Sequence, residues 1–223
     1  MNSKIGFITI GQSPRIDLIP DIKKLLNPDI DILEMGILDD YDYGEASEKF
    51  KPDNGDAVLV SRMRDGQQIK LGKKKIIPLI QKSIDYMNKI EVDLIILLCT
   101  GQFPLFNSKV LLIEPQQLVH SLVEEITLNR NVVIIVPDEE QLTVAEKVWR
   151  KRKIKFILRV ASPYINNEEI EKVALNLINE DISLVYMDCM GYSIDMKERV
   201  GKILKKPVLI PRTLIASISN ELI

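Results

Sequence analysis

Leu94-Ile95-Ile96-Leu97-Leu98-Cys99-Thr100-Gly101 is an unbroken apolar run that ends on a thiol and then on a strand breaker. An uninterrupted run of this length reads as a strand buried on both faces, the kind found inside a parallel sheet. The second half of the chain carries a counterpart, Leu184-Val185-Tyr186-Met187-Asp188-Cys189-Met190-Gly191, and Cys99 and Cys189 are the only two cysteines in 223 residues. Each thiol should therefore emerge at the carboxyl edge of its sheet, where open α/β sheets place their ligands. Two thiols facing one another across a cleft can take a proton from one side of a carbon and return one to the other.

Outward from these two strands, short apolar runs alternate with segments of helical period, the signature of βα units and a largely parallel sheet. In the first half the pattern predicts strands near 4–10, 31–36, 93–98 and 110–114, with helices over about 14–26, 73–89 and 116–128. The second half predicts strands near 132–136, 154–160, 183–188 and 207–210, and helices near 138–151, 167–180, 193–205 and 212–222. The expected fold is α/β, with two pseudo-symmetric Rossmann-like lobes that each hold a parallel four-stranded sheet. The lobes divide at 1–115 and 116–207, and the C-terminal helical segment 208–223 is expected to pack back on the first. Between Asp39 and Lys73 the first lobe carries extra material, in which Arg64-Asp65-Gly66 lies between two alternating runs. Asp-Gly in that setting is a hairpin signal, so a β-hairpin insertion that covers the cleft or makes a dimer contact is expected. The acidic stretch Asp39-Asp40-Tyr41-Asp42-Tyr43-Gly44-Glu45 reads as a solvated connection.

Composition limits the function. A hydrophobic content of 46% supports a folded core, while a formal charge of −2 from 30 basic and 32 acidic residues gives no attraction to polyanions. Nucleic acid is not an expected partner. No apolar run approaches the ~20 residues that span a bilayer, and the opening Met1-Asn2-Ser3-Lys4 leads into a β-branched strand rather than a signal segment. A cytoplasmic protein with two free thiols is expected. The single histidine, His120, lies in a helical pattern where packing or a dimer contact is its expected role, so no zinc site is foreseen. The glycine patterns of dinucleotide and phosphate loops are missing, and the chain lacks Cys-x-x-Cys. No cofactor is expected.

Candidate ligand-binding residues cluster at the ends of the inferred strands. After the first strand, Gly11-Gln12-Ser13-Pro14-Arg15 reads as a helix start, with Ser13 as N-cap and Pro14 as first helical residue. Its amides suit an anion, and Arg15 in a first turn opposes the dipole unless it has a carboxylate to meet. Thr100 and Gly101 follow the first thiol, the hydroxyl to orient a ligand and the glycine to admit one. Asp188, Met190, Gly191 and Tyr192 surround the second; Asp188 is costly to bury without partners and should face the cleft or bond to backbone amides. Arg64 at the hairpin turn and Arg212 after the last strand complete the set, Arg212 as a second carboxylate binder.

Four of these segments carry a family resemblance. Ile10-Gly11-Gln12-Ser13-Pro14-Arg15, Arg62-Met63-Arg64-Asp65-Gly66, Leu98-Cys99-Thr100-Gly101 and Met187-Asp188-Cys189-Met190-Gly191-Tyr192 resemble characteristic segments of the AroM family. The family's name implies a genetic association with aromatic amino-acid biosynthesis. More distantly, the layout is similar to the aspartate/glutamate/hydantoin racemase superfamily. That resemblance implies one cysteine from each lobe flanking the substrate's α-carbon, and a cofactor-independent two-base mechanism on a small carboxylate. The racemases typically follow the first cysteine with Asn-Thr and set the second within Gly-Cys-Thr; here the neighbours are Thr100-Gly101 and Asp188-Cys189-Met190. Maleate isomerases and decarboxylases share that fold, so cis-trans isomerisation and carbon–carbon cleavage are implied alongside racemisation. A binding protein without turnover is the alternative outside enzymes.

Overall fold

A computed structural model of the chain describes residues 2–165 and 167–223; Met1 and Asn166 lie outside the described residues. Strands β1 (Lys4–Thr9), β2 (Asp31–Gly36), β5 (Leu94–Leu97) and β6 (Leu111–Ile113) form one parallel sheet in the order β2-β1-β5-β6. The second parallel sheet holds β7 (Asn131–Val136), β8 (Lys155–Val160), β9 (Leu184–Met187) and β10 (Val208–Leu209) in the order β10-β9-β7-β8. Read from the β8 edge, this is the first sheet's arrangement again, so the duplication extends to topology. The chain has the expected α/β architecture of two four-stranded parallel sheets plus a separate antiparallel hairpin of β3 (Val58–Arg62) and β4 (Gln68–Gly72).

Alternation within the central strands divides the core in three. Ile5, Phe7, Leu94 and Ile96 from the first sheet join Val132, Ile134, Leu184 and Tyr186 from the second in one apolar cluster. Into it pack one face each of α1 (Ile19–Lys23), α4 (Pro115–Ile126), α5 (Leu142–Trp149) and α8 (Pro211–Leu222). The opposite face of the first sheet, with Ile8, Ile95 and Leu97, is covered by α2 (Tyr43–Phe50) and α3 (Lys73–Lys89). The opposite face of the second, with Val133, Val185 and Met187, is covered by α6 (Asn167–Leu175) and α7 (Ile194–Leu204). Both central strands are thus buried on both sides, which explains their uninterrupted apolar runs.

Three elements differ from the sequence expectation. The first helix begins at Ile19 rather than near residue 14: the Arg15 N–H donates to the Glu34 carboxylate at 2.8 Å, and Pro20, not Pro14, is the proline of the first turn. Arg15 therefore sits in a loop and opposes no helix dipole. Ser13 caps no helix; its N–H and hydroxyl both donate to Asp39, at 2.7 and 2.6 Å. The stretch read as a solvated connection contains the start of α2, where Asp42 and Glu45 form a reciprocal capping box.

Arg212, at the start of α8, is fully buried. It donates to the carbonyls of Met190 and Gly191 after β9, and also to the Asp17 carbonyl and the Asp21 carboxylate around α1, all within 2.7–3.0 Å. One guanidinium thereby ties together a loop from each lobe and the C-terminal helix. These contacts correct its expected role: its donors are spent on the fold rather than on a ligand. Removing a partner from a buried ion pair typically costs about 3–5 kcal/mol. Arg212→Met is expected to lower the unfolding free energy by about that amount in urea denaturation; a loss below about 1 kcal/mol would contradict the bracing role.

Candidate active site

In each sheet the strand order reverses between the two central strands, β1 and β5 in one and β7 and β9 in the other. Ligands of open α/β sheets bind at such switch points, outside the carboxyl ends. Cys99 follows β5 and Cys189 follows β9, and both line a single cavity of about 110 Å³. Residues of both lobes form its wall, and Ala57–Ser61 of the hairpin insertion lie along it. The hairpin is held to the second lobe: Gln141 donates to the Val58 carbonyl at 3.1 Å, Ser162 donates to Gln68 at 2.6 Å, and Lys70 pairs with Asp138 and Glu140. Of the two roles expected for it, covering the cleft is the one these contacts display.

The surroundings of the thiols are themselves repeated. The Gly101 N–H donates to Cys99 Sγ at 3.3 Å, and the Gly191 N–H donates to Cys189 Sγ at 3.4 Å. Each Cys-x-Gly thus turns an amide back on its own sulfur. Burial nevertheless dominates, because an anion in low dielectric loses its hydration. It pushes the Cys99 thiol up to about 12, with Cys189 and Asp188 adding to the effect. Cys189 is also raised by burial, against lowering contributions from the Gly191 amide, the Tyr164 hydroxyl and Arg15. The Tyr164 hydroxyl lies 3.8 Å from Cys189 Sγ, so the second thiol has the richer set of groups able to support a thiolate.

Asp188 lies beside both thiols and faces the cavity, as expected, but its partners are side chains rather than backbone amides. One carboxylate oxygen accepts from the Tyr186 hydroxyl at 2.9 Å and the other lies 2.9 Å from His120 Nε2. His120 lies on the cavity wall beside Asp188, whereas packing or a dimer contact was its expected role. Its ring also stacks on Trp149 with centroids 4.3 Å apart. A proton on Nε2, directed at the carboxylate, leaves Nδ1 as an acceptor. Across the lobes, the Thr100 hydroxyl donates to the Asp188 carbonyl at 3.2 Å, linking the two thiol-bearing loops.

Of the candidates named from sequence, Cys99, Thr100, Gly101, Asp188, Cys189 and Met190 line the cavity, and the others hold the loops behind it. Gln12 is buried, donating to the Leu38 and Tyr41 carbonyls and accepting from the Arg64 N–H. A Cβ on Gly11 would run into the Arg62 carbonyl, so this glycine admits the hairpin rather than a ligand. Arg15 is buried and bonds Asp17 through Nε and a terminal nitrogen, at 2.8 and 2.7 Å. Burial alone would raise the Asp17 carboxyl, yet Arg15, with Arg62 behind it, holds it below the ordinary carboxylate value. Arg64 pairs with Asp39 and donates to the Ser13 carbonyl. Tyr192 is fully buried and donates to the Ala161 carbonyl at 2.7 Å. A Cβ on Gly191 would strike the Tyr164 hydroxyl at 2.5 Å. Tyr164 is thus a cavity residue not singled out from sequence, although it lies in the loop at the carboxyl end of β8.

The same architecture occurs in solved structures. An aspartate racemase of Picrophilus torridus superposes with a TM-score of 0.60 at 14% identity, covering 98% of this chain and 94% of the racemase. The maleate isomerase Iso of Pseudomonas putida S16 gives a TM-score of 0.63 at 12% identity over 99% of this chain and 91% of its own. An arylmalonate decarboxylase gives 0.59 at 15% identity over 97% and 91%. At these identities the likeness is one of fold alone. No curated protein sequence matches the chain. The model of the AroM protein family matches residues 5–223, through all four segments singled out above, and the chain belongs to that family.

Proposed function

We propose that the protein is a cofactor-independent isomerase of the racemase or epimerase kind, acting at the carbon α to the carboxylate of a small amino or hydroxy acid. The observation that carries this reading is the repeated Cys-x-Gly: two thiols on equivalent loops of two equivalent lobes, each with an amide on its sulfur, line one cavity. Burial raises both thiols, and Cys189 is read as the base because the Tyr164 hydroxyl adds to the Arg15 and glycine-amide support that Cys99 shares. Cys99 is the acid, because burial keeps its proton on. The Cys189 thiolate takes the α-proton and Cys99 delivers its own to the opposite face, so the product has inverted configuration and the charge has moved from one sulfur to the other. The carbanionic intermediate spreads its charge onto the carboxylate, where loop amides at the strand ends oppose it.

Proton transfer by a positioned side chain typically contributes 10²–10⁴-fold. In heavy water, with a panel of amino acids, hydroxy acids and dicarboxylates, one substrate class should gain deuterium at its α-carbon. Cys99→Ser and Cys189→Ser should each reduce that exchange by about 100-fold or more. Exchange that survives both substitutions would exclude two-thiol chemistry, and ligand-induced thermal stabilisation without any exchange would favour a binding protein.

Because both thiols are raised, thiolate accumulates only in the alkaline range. The exchange rate at subsaturating substrate is expected to climb about tenfold per pH unit between about pH 7 and 9. A pH-independent rate over that range would contradict a thiol base. Stability has the opposite sign. A thiol whose folded value exceeds its unfolded one stabilises fully below the ordinary value of 9.0, and that contribution is lost as pH rises toward about 12. Cys99→Ala is expected to flatten this alkaline loss in melts from pH 8 to 11.

The raised Cys99 also suits a related reaction of the same fold, decarboxylation of a malonate-type acid. There the carbon–carbon bond breaks, carbon dioxide leaves, and the carbanion takes the Cys99 proton, which solvent then restores. Carbon dioxide release that depends on Cys99 alone would select this reading over racemisation.

A further inference from the structure

The expected carboxylate binders are all committed elsewhere. Arg15 is held by Asp17, Arg212 by Asp21 and Arg64 by Asp39. Among the described residues that line the cavity, the one lysine or arginine is Lys73, at the start of α3. Its backbone N–H donates to the Ala57 carbonyl, but its ammonium has neither an ion-pair nor a hydrogen-bond partner among the described residues. Lys73, Lys74 and Lys75 occupy the first turn, where the Asp56 carboxylate accepts from the Lys74 N–H at 3.1 Å. Positive side chains at a helix N-terminus oppose the dipole. Lys75 has Asp53 at 2.8 Å; Lys73 lines the cavity without an ion-pair partner among the described residues.

Among the described residues, two buried side-chain nitrogens have no hydrogen-bond partner, His120 Nδ1 and Trp149 Nε1, and both belong to residues on the cavity wall. An unpaired buried donor or acceptor carries a desolvation cost that a ligand group or a water can remove. Part of the remaining wall, including Val58, Val60, Val144 and Val148, is apolar.

We propose that Lys73 is the anion-binding residue of this cavity and selects acids that carry an apolar body. This deepens the reading of the site as one for a small carboxylate and rests on it, but it is tested by binding and needs no turnover. Trp149, the only tryptophan in the chain, lies on the cavity wall, so its fluorescence reports occupancy. Benzoate, phenylacetate and 3-phenylpropionate, each titrated against its neutral amide, separate charge from apolar contact.

The expected result is a saturable fluorescence change in which at least one acid binds tenfold or more tightly than its amide. Lys73→Met should bring that acid to the level of the amide, Lys73→Arg should retain most of the preference, and Lys74→Met, on the exposed neighbour, should leave it within twofold. Circular dichroism of each variant verifies folding. Equal binding of acid and amide, undiminished acid binding by Lys73→Met, or no saturable change with any of the three acids would overturn the proposal. Failure of deuterium exchange with these binding results intact would remove the enzymatic reading and leave Lys73 in place.

Discussion

The structure depends on burying the facing sides of two parallel sheets in one apolar cluster. Ile5, Phe7 and Ile96 of one sheet and Val132, Ile134 and Tyr186 of the other share that cluster with α1, α4, α5 and α8. Burial of such side chains supplies about 25 cal/mol for each Å² removed from water, and it constrains the lobes together because neither sheet can move without exposing the other's contacts. Fixed sheets mean fixed carboxyl edges. The loops after β5 and β9 then have no choice but to meet, and the bond from the Thr100 hydroxyl to the Asp188 carbonyl shows how closely they do.

Charge is handled by pairing wherever the chain buries it. Arg15 with Asp17 and Arg212 with Asp21 each enclose a guanidinium whose burial without a counter-charge would be costly. Their energetic effect is to hold loops, and the stability of the pairs themselves is modest because desolvation offsets most of the attraction. Asp188 follows the same rule with neutral donors on one side and an imidazole on the other. It lies beside two thiols and opposes their ionisation. A site so arranged keeps its protons until a substrate and the alkaline side of the thiol range draw one away.

Much of the fold was legible because the central strands are buried on both faces and leave unbroken apolar runs. β2 and α3 were delimited as Asp31–Gly36 and Lys73–Lys89 from periodicity and flanking residues. The first helix was misplaced because Ser13-Pro14 imitates a helix start, while the true competitor, Asp39, is remote in sequence. The α2 start carried a readable signal in Asp42-Tyr43-Gly44-Glu45, whose capping-box spacing was outweighed by its acidity. For the site, strand-end residues were legible: Cys99, Thr100, Gly101, Asp188, Cys189 and Met190 all reach the cavity. The arginines misled for a physical reason. A cation at a strand end looks the same in sequence whether it awaits a ligand or braces a loop, and only the position of Asp17 or Asp21 distinguishes the two. The need of a buried Asp188 for a donor did point somewhere, and the single histidine was its natural partner.

The two lobes repeat their strands, their order and their Cys-x-Gly loops, but the repetition stops one residue from each sulfur. Thr100 stands where the second lobe has Met190, and Leu98 where it has Asp188. A symmetric pair of thiols would present the same proton affinity to both faces of a carbon, whereas here the carboxylate, the phenol of Tyr164 and the imidazole all come from the second lobe. Tyr164 thus supports the Cys189 thiolate, Asp188 raises both thiols, and Cys99 keeps its own amide in a more apolar setting. The duplicated fold supplies two opposed thiols, and the departures from duplication give the resting protein one thiol that more readily yields its proton and one that keeps it.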